Sequence, residues 1–368
     1  MLFLGTMSIC FLSSAFFKKT KFIGFLAMMV LAYLAGYANP MTTTDYQVYL
    51  THYNSLGWEV SPFEKGYTEL TRIFANIGLN YAQFRICFAF ASFLILFVGV
   101  YLFTNKIALF AGLYGSTVFL NDATQIRNLM MISLVILGSG LLAKNNYVWK
   151  LFGIAILLIS TQFHDLGFAF ALIIIPLSFF KLKSLTSAYK YTIIGSYVLG
   201  IILLTSSHIS IVQLMATFLT KFSSRSNSAD NVLANFGRGN SLGTIIVIWT
   251  SLLLVAVLIV VLIRACAKTG VSESKLKILF ICSAMSVIVN VLIVLAPDYS
   301  RISRNSFLFL LILICVTLEQ QTVIYFNKSN FLKLFLTICV LMCTTYVNTE
   351  IWGSTYYNSL PYLTQIKK

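Results

Sequence analysis

The sequence predicts an all-α polytopic integral membrane protein with about twelve transmembrane helices. Of its 368 residues, 58% are hydrophobic and only 10% are charged, and the mean hydropathy is +0.86. This apolar fraction exceeds what the core of a soluble protein of this size requires. Apolar runs recur along the chain, with most lysines in the short breaks between them, a pattern typical of membrane topology. We therefore expect one membrane domain over residues 1–368.

The predicted spans follow from the need for about twenty, and at least roughly seventeen, apolar residues to cross hydrocarbon. The first apolar run has the length of a signal peptide, but its lysines follow the run instead of preceding it. We therefore interpret it as a retained first helix. The spans are 1–17, 22–38, 84–103, 107–121, 126–143, 149–163, 166–180, 190–206, 243–263, 276–296, 305–325 and 331–347.

The loops between these spans divide into two sets of opposite composition. One set holds a single acid, Glu273, together with most of the basic residues, so it is predicted to be cytoplasmic. The other set is then extracytoplasmic and contains two long loops, 39–83 and 207–242, and both termini. The basic residues of the cytoplasmic set are Lys18, Lys19, Lys21, Lys106, Lys144, Lys150, Lys181, Lys183, Lys190, Arg264, Lys268, Lys275, Lys277, Lys328 and Lys333.

The types of charged residue are also sorted between the two sides. Seven of the eight arginines fall on the extracytoplasmic side, and only Arg264 falls on the other. All three histidines and nine of the eleven acidic residues are extracytoplasmic as well. Lysine suffices for the topology signal, so this excess of other polar groups indicates that the chemistry takes place outside the cytoplasm.

The first long loop combines carboxylates with aromatic rings, a mixture that suits sugars. Aromatic rings pack on the apolar faces of pyranoses, and carboxylates accept hydrogen bonds from hydroxyl groups. An ionised carboxylate can also act as a general base toward an acceptor hydroxyl. The alternative is a solvated loop with interfacial tyrosines. The residues concerned are Asp45, Tyr46, Tyr49, Glu64 and Tyr67.

Three arginines stand at the extracytoplasmic starts of predicted spans, namely Arg127, Arg301 and Arg304. The planar guanidinium group pairs bidentately with phosphate and is less strongly hydrated than an ammonium group. Arginine is therefore expected where a diphosphate is held close to lipid. Arg301 and Arg304 are three residues apart and share one face of a helix if the helix starts early. The alternative is that these side chains snorkel to the interface.

Two further extracytoplasmic segments are candidates for function. His164 lies between two apolar runs, next to Asp165, and could give or take a proton; the alternative is an interfacial histidine with a structural role. In the loop 207–242, apolar residues at helical spacing from Ile209 to Phe222 predict a helix in the membrane plane. The polar stretch around Arg238 then forms either a lid over a glycan groove or a linker.

Other classes of function are disfavoured. The chain has no phosphate-binding glycine loop, metal-binding helix pair, dinucleotide fingerprint or nucleophile elbow. Its seven cysteines lie in or beside apolar segments without paired spacing, which argues against a disulfide or zinc framework. The net charge of +15 is explained by topology and does not indicate a nucleic-acid partner. We expect no cofactor and no metal.

Four short segments, in their order along the chain, resemble the EpsG family. The resemblance covers most of the chain from Asp45 onward. The segments are Asp45-Tyr46 with Tyr49, Glu64-Lys65-Gly66-Tyr67 with Leu70, Ile126-Arg127 at the start of a span, and Phe163-His164.

The resemblance implies a polymerase of bacterial surface polysaccharides, similar to Wzy-type O-antigen and capsule polymerases and GT-C-like in architecture. The substrate would be an oligosaccharide repeat unit linked through diphosphate to undecaprenol. The enzyme would act in the cytoplasmic (inner) membrane, with its active site on the extracytoplasmic face. Membrane lipids, a flippase and a chain-length regulator are the implied partners.

These inferences combine into one hypothesis for the site. Three arginines hold the leaving diphosphate, a neighbouring base deprotonates the acceptor hydroxyl, and further loop residues position the sugars. Two alternatives remain open: a flippase, which should carry charge at the membrane midplane, and a transferase that uses a polyprenyl-phosphate sugar. The assigned residues are Arg127, Arg301 and Arg304 for the diphosphate, Asp45 or His164 as the base, and Tyr46, Tyr49, Glu64, Tyr67 and Arg238 for the sugars.

Overall fold

The structure is a computed structural model. It describes residues 1–205, 241–295, 299–320 and 328–351, together with Gln213, Thr217 and Lys221. All regular structure within this described part is helical, which confirms the predicted all-α class. The chain divides into two compact units, Met1–Leu172 and Ile173–Trp352.

The first unit is built from short and medium-length helices. Helix α8 packs against α5 and α9, α5 packs against α2, and both α1 and α2 pack against α6. The helices are α1 (Leu2–Phe16), α2 (Lys21–Gly36), α3 (Tyr46–Asn54), α4 (Lys65–Asn76), α5 (Tyr81–Tyr101), α6 (Ile107–Thr117), α7 (Phe119–Thr124), α8 (Ile126–Leu142), α9 (Tyr147–Ser160) and α10 (Leu166–Leu177), within which the unit boundary falls.

The second unit contains the longest apolar helices. Its helices are α11 (Leu182–Thr205), α12 (Leu242–Ala267), α13 (Glu273–Ile288), α14 (Asn290–Leu295), α15 (Ser300–Gln320) and α16 (Lys328–Tyr346), followed by a π-helical turn, Val347–Ile351. Helix α13 packs against α12 and α15, while α16 packs against α12. Every residue of α15 from Ile302 to Thr317 is buried, so α15 forms the centre of this unit.

Each of the twelve predicted spans overlaps an apolar helix. Six helical stretches in the described residues are long and apolar enough to cross a membrane, and six shorter apolar helices of 10–17 residues account for the remaining predicted spans. The protein is therefore a membrane protein with several apolar helices. The number of crossings stays a prediction, because several of these helices are shorter than the roughly seventeen residues that a span requires.

The two long predicted loops differ in what the structure describes. The loop 39–83 contains α3 and α4 and ends at the start of α5. The loop 207–242, with Arg238 and the predicted in-plane helix from Ile209 to Phe222, lies almost entirely outside the described residues.

A capping box fixes the point at which the first loop enters the helix bundle. Gly78 has a φ of +89°, a conformation that residues with a Cβ rarely adopt, and it makes the turn after α4. The Asn80 side chain then accepts a hydrogen bond from the Gln83 backbone, and the Gln83 side chain accepts one from the Asn80 backbone. This reciprocal cap begins α5 and places Arg85 in its second turn.

Glycines hold α8 close to its two neighbours. A Cβ atom added to Gly138 of α8 would lie 2.9 Å from the carbonyl oxygen of Gly153 in α9, and a Cβ added to Gly99 of α5 would lie 2.8 Å from the backbone nitrogen of Leu137. Small residues permit this close approach of helix backbones in membrane proteins. The position of α8, whose first turn carries Arg127, is thereby fixed on two sides.

Candidate active site

A buried ion pair joins the first long loop to the helix bundle. Arg127 is the second residue of α8, and its guanidinium group donates a hydrogen bond to the carboxylate of Glu64, the residue that precedes α4. Arg127 is 6% exposed and Glu64 is fully buried. A buried charge is tolerated only when it is paired, so each of these groups needs the other.

Three aromatic rings of the same loop cover Arg127. The guanidinium carbon lies 4.1 Å from the ring centroid of Phe63, 5.4 Å from that of Tyr49 and 5.7 Å from that of Tyr67. Each distance falls within the range of cation–π attraction. The cation is therefore shielded by a carboxylate and by rings, all contributed by the loop.

The turn between α9 and α10 meets the same ion pair. The backbone N–H of Asp165 donates to Glu64 at 3.3 Å, and that of Tyr67 donates to the carbonyl of Gln162 at 3.2 Å. A Cβ at Gly66 would lie only 2.7 Å from the Cβ of Gln162, so a glycine is needed at this close approach. The loop, α8 and this turn thus converge on Glu64.

His164 lies in this turn and is 8% exposed. Its Nδ1 accepts a hydrogen bond from the backbone N–H of Leu166 at 3.2 Å. A neutral imidazole that accepts at Nδ1 carries its proton on Nε2. His164 must therefore give up this backbone hydrogen bond before it can accept another proton.

Asp45 and Tyr46 begin α3, which lies against two arginines. Asp45 is half-buried and precedes the helix. The Tyr46 ring centroid lies 5.2 Å from the guanidinium carbon of Arg85, while Tyr49, one turn later, contacts Arg127. Helix α3 therefore spans the distance between the two cations.

Sequence reasoning assigned no individual role to Arg85. It is fully buried in α5 and donates three hydrogen bonds: to the carbonyl of Ala35 at 3.1 Å, to the hydroxyl of Tyr81 at 3.3 Å and to the carbonyl of Ala123 at 2.6 Å. These partners are neutral and belong to three different segments. The sequence signal for this buried contact was the presence of a charged residue, Arg85, near the start of the predicted apolar span 84–103.

His52 is a second residue that sequence reasoning missed. It is buried on α3, with its ring centroid 4.7 Å from that of Phe63 and 6.0 Å from that of Tyr67. Burial, and then the nearby charge of Arg127, lowers the pKa of His52 to about 4. His52 is therefore neutral at physiological pH. No local sequence pattern distinguishes it from a solvated loop histidine.

The break between α6 and α8 holds a buried carboxylate. Asp122 of α7 is fully buried and accepts a hydrogen bond from the Tyr114 hydroxyl at 3.1 Å and another from the Asn128 side chain at 3.2 Å. Asn128 follows Arg127 directly. Two consecutive side chains in the first turn of α8, Arg127 and Asn128, therefore each donate a hydrogen bond to a buried carboxylate.

The predicted sugar-binding tyrosines are buried in this conformation. Tyr46, Tyr49 and Tyr67 are each no more than 5% exposed. Their rings pack against other aromatic rings of the loop and of α5, and against the guanidinium groups of Arg85 and Arg127. Burial raises the pKa of Tyr67 well above its ordinary value, so this hydroxyl stays protonated. Here the rings form the core of the loop, and their contact with sugars stays a prediction.

Arg301 and Arg304 lie in the second unit, at the start of α15. Arg301 is half-buried, and Arg304 is 2% exposed. Arg304 lines a small cavity of about 20 Å³, which has room for about one water molecule. Its lining, as far as the described residues show, contains no acid; the polar members beside Arg304 are Ser251, Ser286, Ser303, Thr344 and Asn348. Arg238 lies outside the described residues.

Neutral His52 should make the fold sensitive to acid. Because its pKa falls from 6.5 in the unfolded chain to about 4 in the folded protein, the unfolded state binds the extra proton first as the pH drops. As far as His52 is concerned, the free energy of unfolding is highest above pH 6.5 and falls by up to about 3 kcal/mol as the pH drops toward 4. We expect His52→Phe to lose less stability than the wild type between pH 7 and pH 4.5 in thermal unfolding. An equal loss of stability between pH 7 and pH 4.5 in both proteins would contradict this account of His52.

One comparison with known proteins identifies a family. A model of the EpsG family matches residues 21–364. No curated protein and no solved structure matches the chain significantly. The matched segment includes the first long loop, the Glu64–Arg127 pair and the arginines of the second unit. Since it covers most of the sequence, the chain belongs to the EpsG family, a family of Wzy-like polymerases.

Proposed function

We propose that this protein polymerises oligosaccharide repeat units carried on undecaprenyl diphosphate, at the extracytoplasmic face of the bacterial cytoplasmic membrane. The product is a surface polysaccharide such as an O-antigen, a capsule or an exopolysaccharide. Family membership supports a polymerase of glycosyltransferase type in a membrane. The proposal extends this to the lipid-linked donor, a metal-independent reaction and a GT-C-like architecture.

The observation that carries the proposal is the cluster around Arg127. A cation at the first turn of an apolar helix lies beneath a loop of carboxylates and aromatic rings, with the turn of His164 against it. A polymerase with a lipid-borne donor needs a cation for the diphosphate and polar groups for the glycan at such a boundary. The cluster supplies both kinds of group in one place.

The proposed reaction requires no nucleotide, because the energy is already in the diphosphate ester. The oxygen of an acceptor hydroxyl forms a bond to the anomeric carbon of the growing glycan. The bond between that carbon and the diphosphate oxygen breaks, and the diphosphate leaves with the electron pair. The growing glycan is thereby moved onto the next lipid-linked unit, and the proton of the hydroxyl passes to a base on the enzyme.

The residues are proposed to share this work as follows. Arg127 stabilises the charge that develops on the leaving diphosphate, the kind of electrostatic contribution that is usually the largest in catalysis. The same role for Arg301 and Arg304 stays a prediction from the sequence. Asp45 or His164 takes the proton. The glycan is positioned by Tyr46, Tyr49, Glu64, Tyr67 and Arg238.

The position of the charges favours an enzyme over a flippase. Arg85, Arg127 and Arg304 all lie within the first five residues of their helices. A carrier that moves a diphosphate across the bilayer is expected to place charge near the middle of its spans.

The purified protein is expected to join lipid-linked repeat units into longer chains without added nucleotide or metal. Products on undecaprenyl diphosphate would be resolved by size after incubation in detergent or nanodiscs. A strain that lacks the protein should accumulate single repeat units. Transfer of units across vesicle membranes without chain growth would instead identify a flippase, and a requirement for a prenyl-monophosphate sugar would identify a transferase of the other class.

Arg127→Ala should lower the rate of polymerisation by about a hundredfold or more, as expected when one stabilising group for a developing negative charge is removed. Arg127→Lys should recover little activity, because a lysine cannot pair bidentately with the diphosphate. Arg72→Ala is the matched control, since Arg72 pairs with Glu69 on the exposed side of α4. Wild-type levels of long polysaccharide from membrane-inserted Arg127→Ala would remove Arg127 from the mechanism.

A further inference from the structure

The carboxylate of Glu64 is paired with the guanidinium group of Arg127, to which a substrate anion is proposed to bind. Glu64 is fully buried, and Arg127 is nearly so. The ring of Phe63, the residue before Glu64, lies over the guanidinium at 4.1 Å. An anion that reaches Arg127 must therefore replace Glu64 and move this part of the loop.

The exchange of one anion for another is governed by charge. Arg127 and Glu64 together are neutral, and leaving either one buried without a counter-charge is strongly unfavourable. A ligand with one negative charge offers Arg127 nothing that Glu64 does not already provide. A ligand with two negative charges gains additional attraction, which is strong in a site that excludes water.

This difference in charge separates the two classes of lipid-linked sugar donor. A sugar joined to a prenyl chain through a diphosphate carries two negative charges, one on each phosphate. A sugar joined through a monophosphate carries a single charge. The ion pair thus presents a barrier that a diphosphate is better able to overcome.

Release of Glu64 would have a defined local consequence. The carboxylate accepts the backbone N–H of Asp165 at 3.3 Å, so this N–H loses its acceptor when Glu64 moves away. The neighbouring contact joins the N–H of Tyr67, three residues after Glu64, to the carbonyl of Gln162, three residues before Asp165, and would loosen with it. The ion pair and the turn of His164 are therefore coupled.

We propose that Glu64 is a specificity-determining residue. It stays paired with Arg127 in the presence of a prenyl-monophosphate sugar and is displaced from Arg127 by a prenyl-diphosphate sugar. This inference rests on the proposed function, in which Arg127 binds the diphosphate of the donor. It assigns to Glu64 a role in choosing the donor class, in addition to positioning the glycan.

The test compares two synthetic probes, N-acetylglucosamine linked to farnesol through a diphosphate and through a monophosphate. Their dissociation constants would be measured on the purified full-length protein in nanodiscs. The wild type is expected to prefer the diphosphate probe by at least about tenfold. In Glu64→Gln the monophosphate probe should bind at least about tenfold more tightly than in the wild type, so that the preference shrinks.

Glu69→Gln is the matched control, because Glu69 lies on the same helix and pairs with Arg72, but both side chains are more than half exposed. It should keep the preference of the wild type. An unchanged preference in Glu64→Gln, or an equal loss of preference in Glu69→Gln, would overturn the proposal.

A second measurement does not depend on the folding of a variant. Amide exchange of the wild-type peptide that contains Asp165 should accelerate when the diphosphate probe is added, and should not change with the monophosphate probe. Unchanged exchange at saturating diphosphate probe would also overturn the proposal. If the wild type forms polymer and binds the diphosphate probe but either result fails, only this inference falls; if it forms no polymer, the proposed function falls.

Discussion

The hydrogen-bonded ion pair between Glu64 and Arg127 is the interaction on which the arrangement of the first unit depends. It joins residues from two distant parts of the chain, and both charges are withdrawn from water. Neither group could be buried alone, so the loop and α8 are held together for as long as no other counter-charge replaces one partner. Because Glu64 also accepts the backbone of Asp165, the same carboxylate positions the turn that carries His164. One acidic side chain thus assembles three segments that are separate in the sequence.

The two buried arginines of this unit are stabilised in different ways, which indicates different roles. Arg85 donates hydrogen bonds to neutral carbonyl and hydroxyl groups of α2, α5 and α7, which are all parts of the helix bundle. Arg127 has an acidic partner on a loop, and the proposed function requires another anion to take the place of that partner. Arg85 is therefore best understood as a structural junction. Arg127 is the cation to which the proposed function assigns the diphosphate of the substrate.

The helical class and the positions of the apolar helices were predictable from the sequence, because apolar runs and lysine-rich breaks are local signals, whereas α3 and α4 lie in a segment predicted as a loop. Arg127, Glu64 and His164 could also be selected from the sequence as candidates, since each stands at the edge of an apolar run or in an acidic, aromatic loop, and their role in function stays a prediction. Their pairing was not, because a contact between residues 64 and 127 leaves no trace in local periodicity. The burial of the tyrosines was missed for the same reason: composition shows that rings are present but not which surface they cover. Neutral His52 depends wholly on tertiary contacts.

The central claim, that Glu64 and Arg127 stabilise the protein only as a pair, is tested most directly by a double-mutant cycle. The free energy of unfolding would be measured for the wild type, Glu64→Gln, Arg127→Gln and the double variant in the same detergent. A coupling energy of at least about 2 kcal/mol is predicted, because each single variant leaves one buried charge without its partner and the double variant leaves neither. Effects of the two substitutions that add to within about 0.5 kcal/mol would contradict the account.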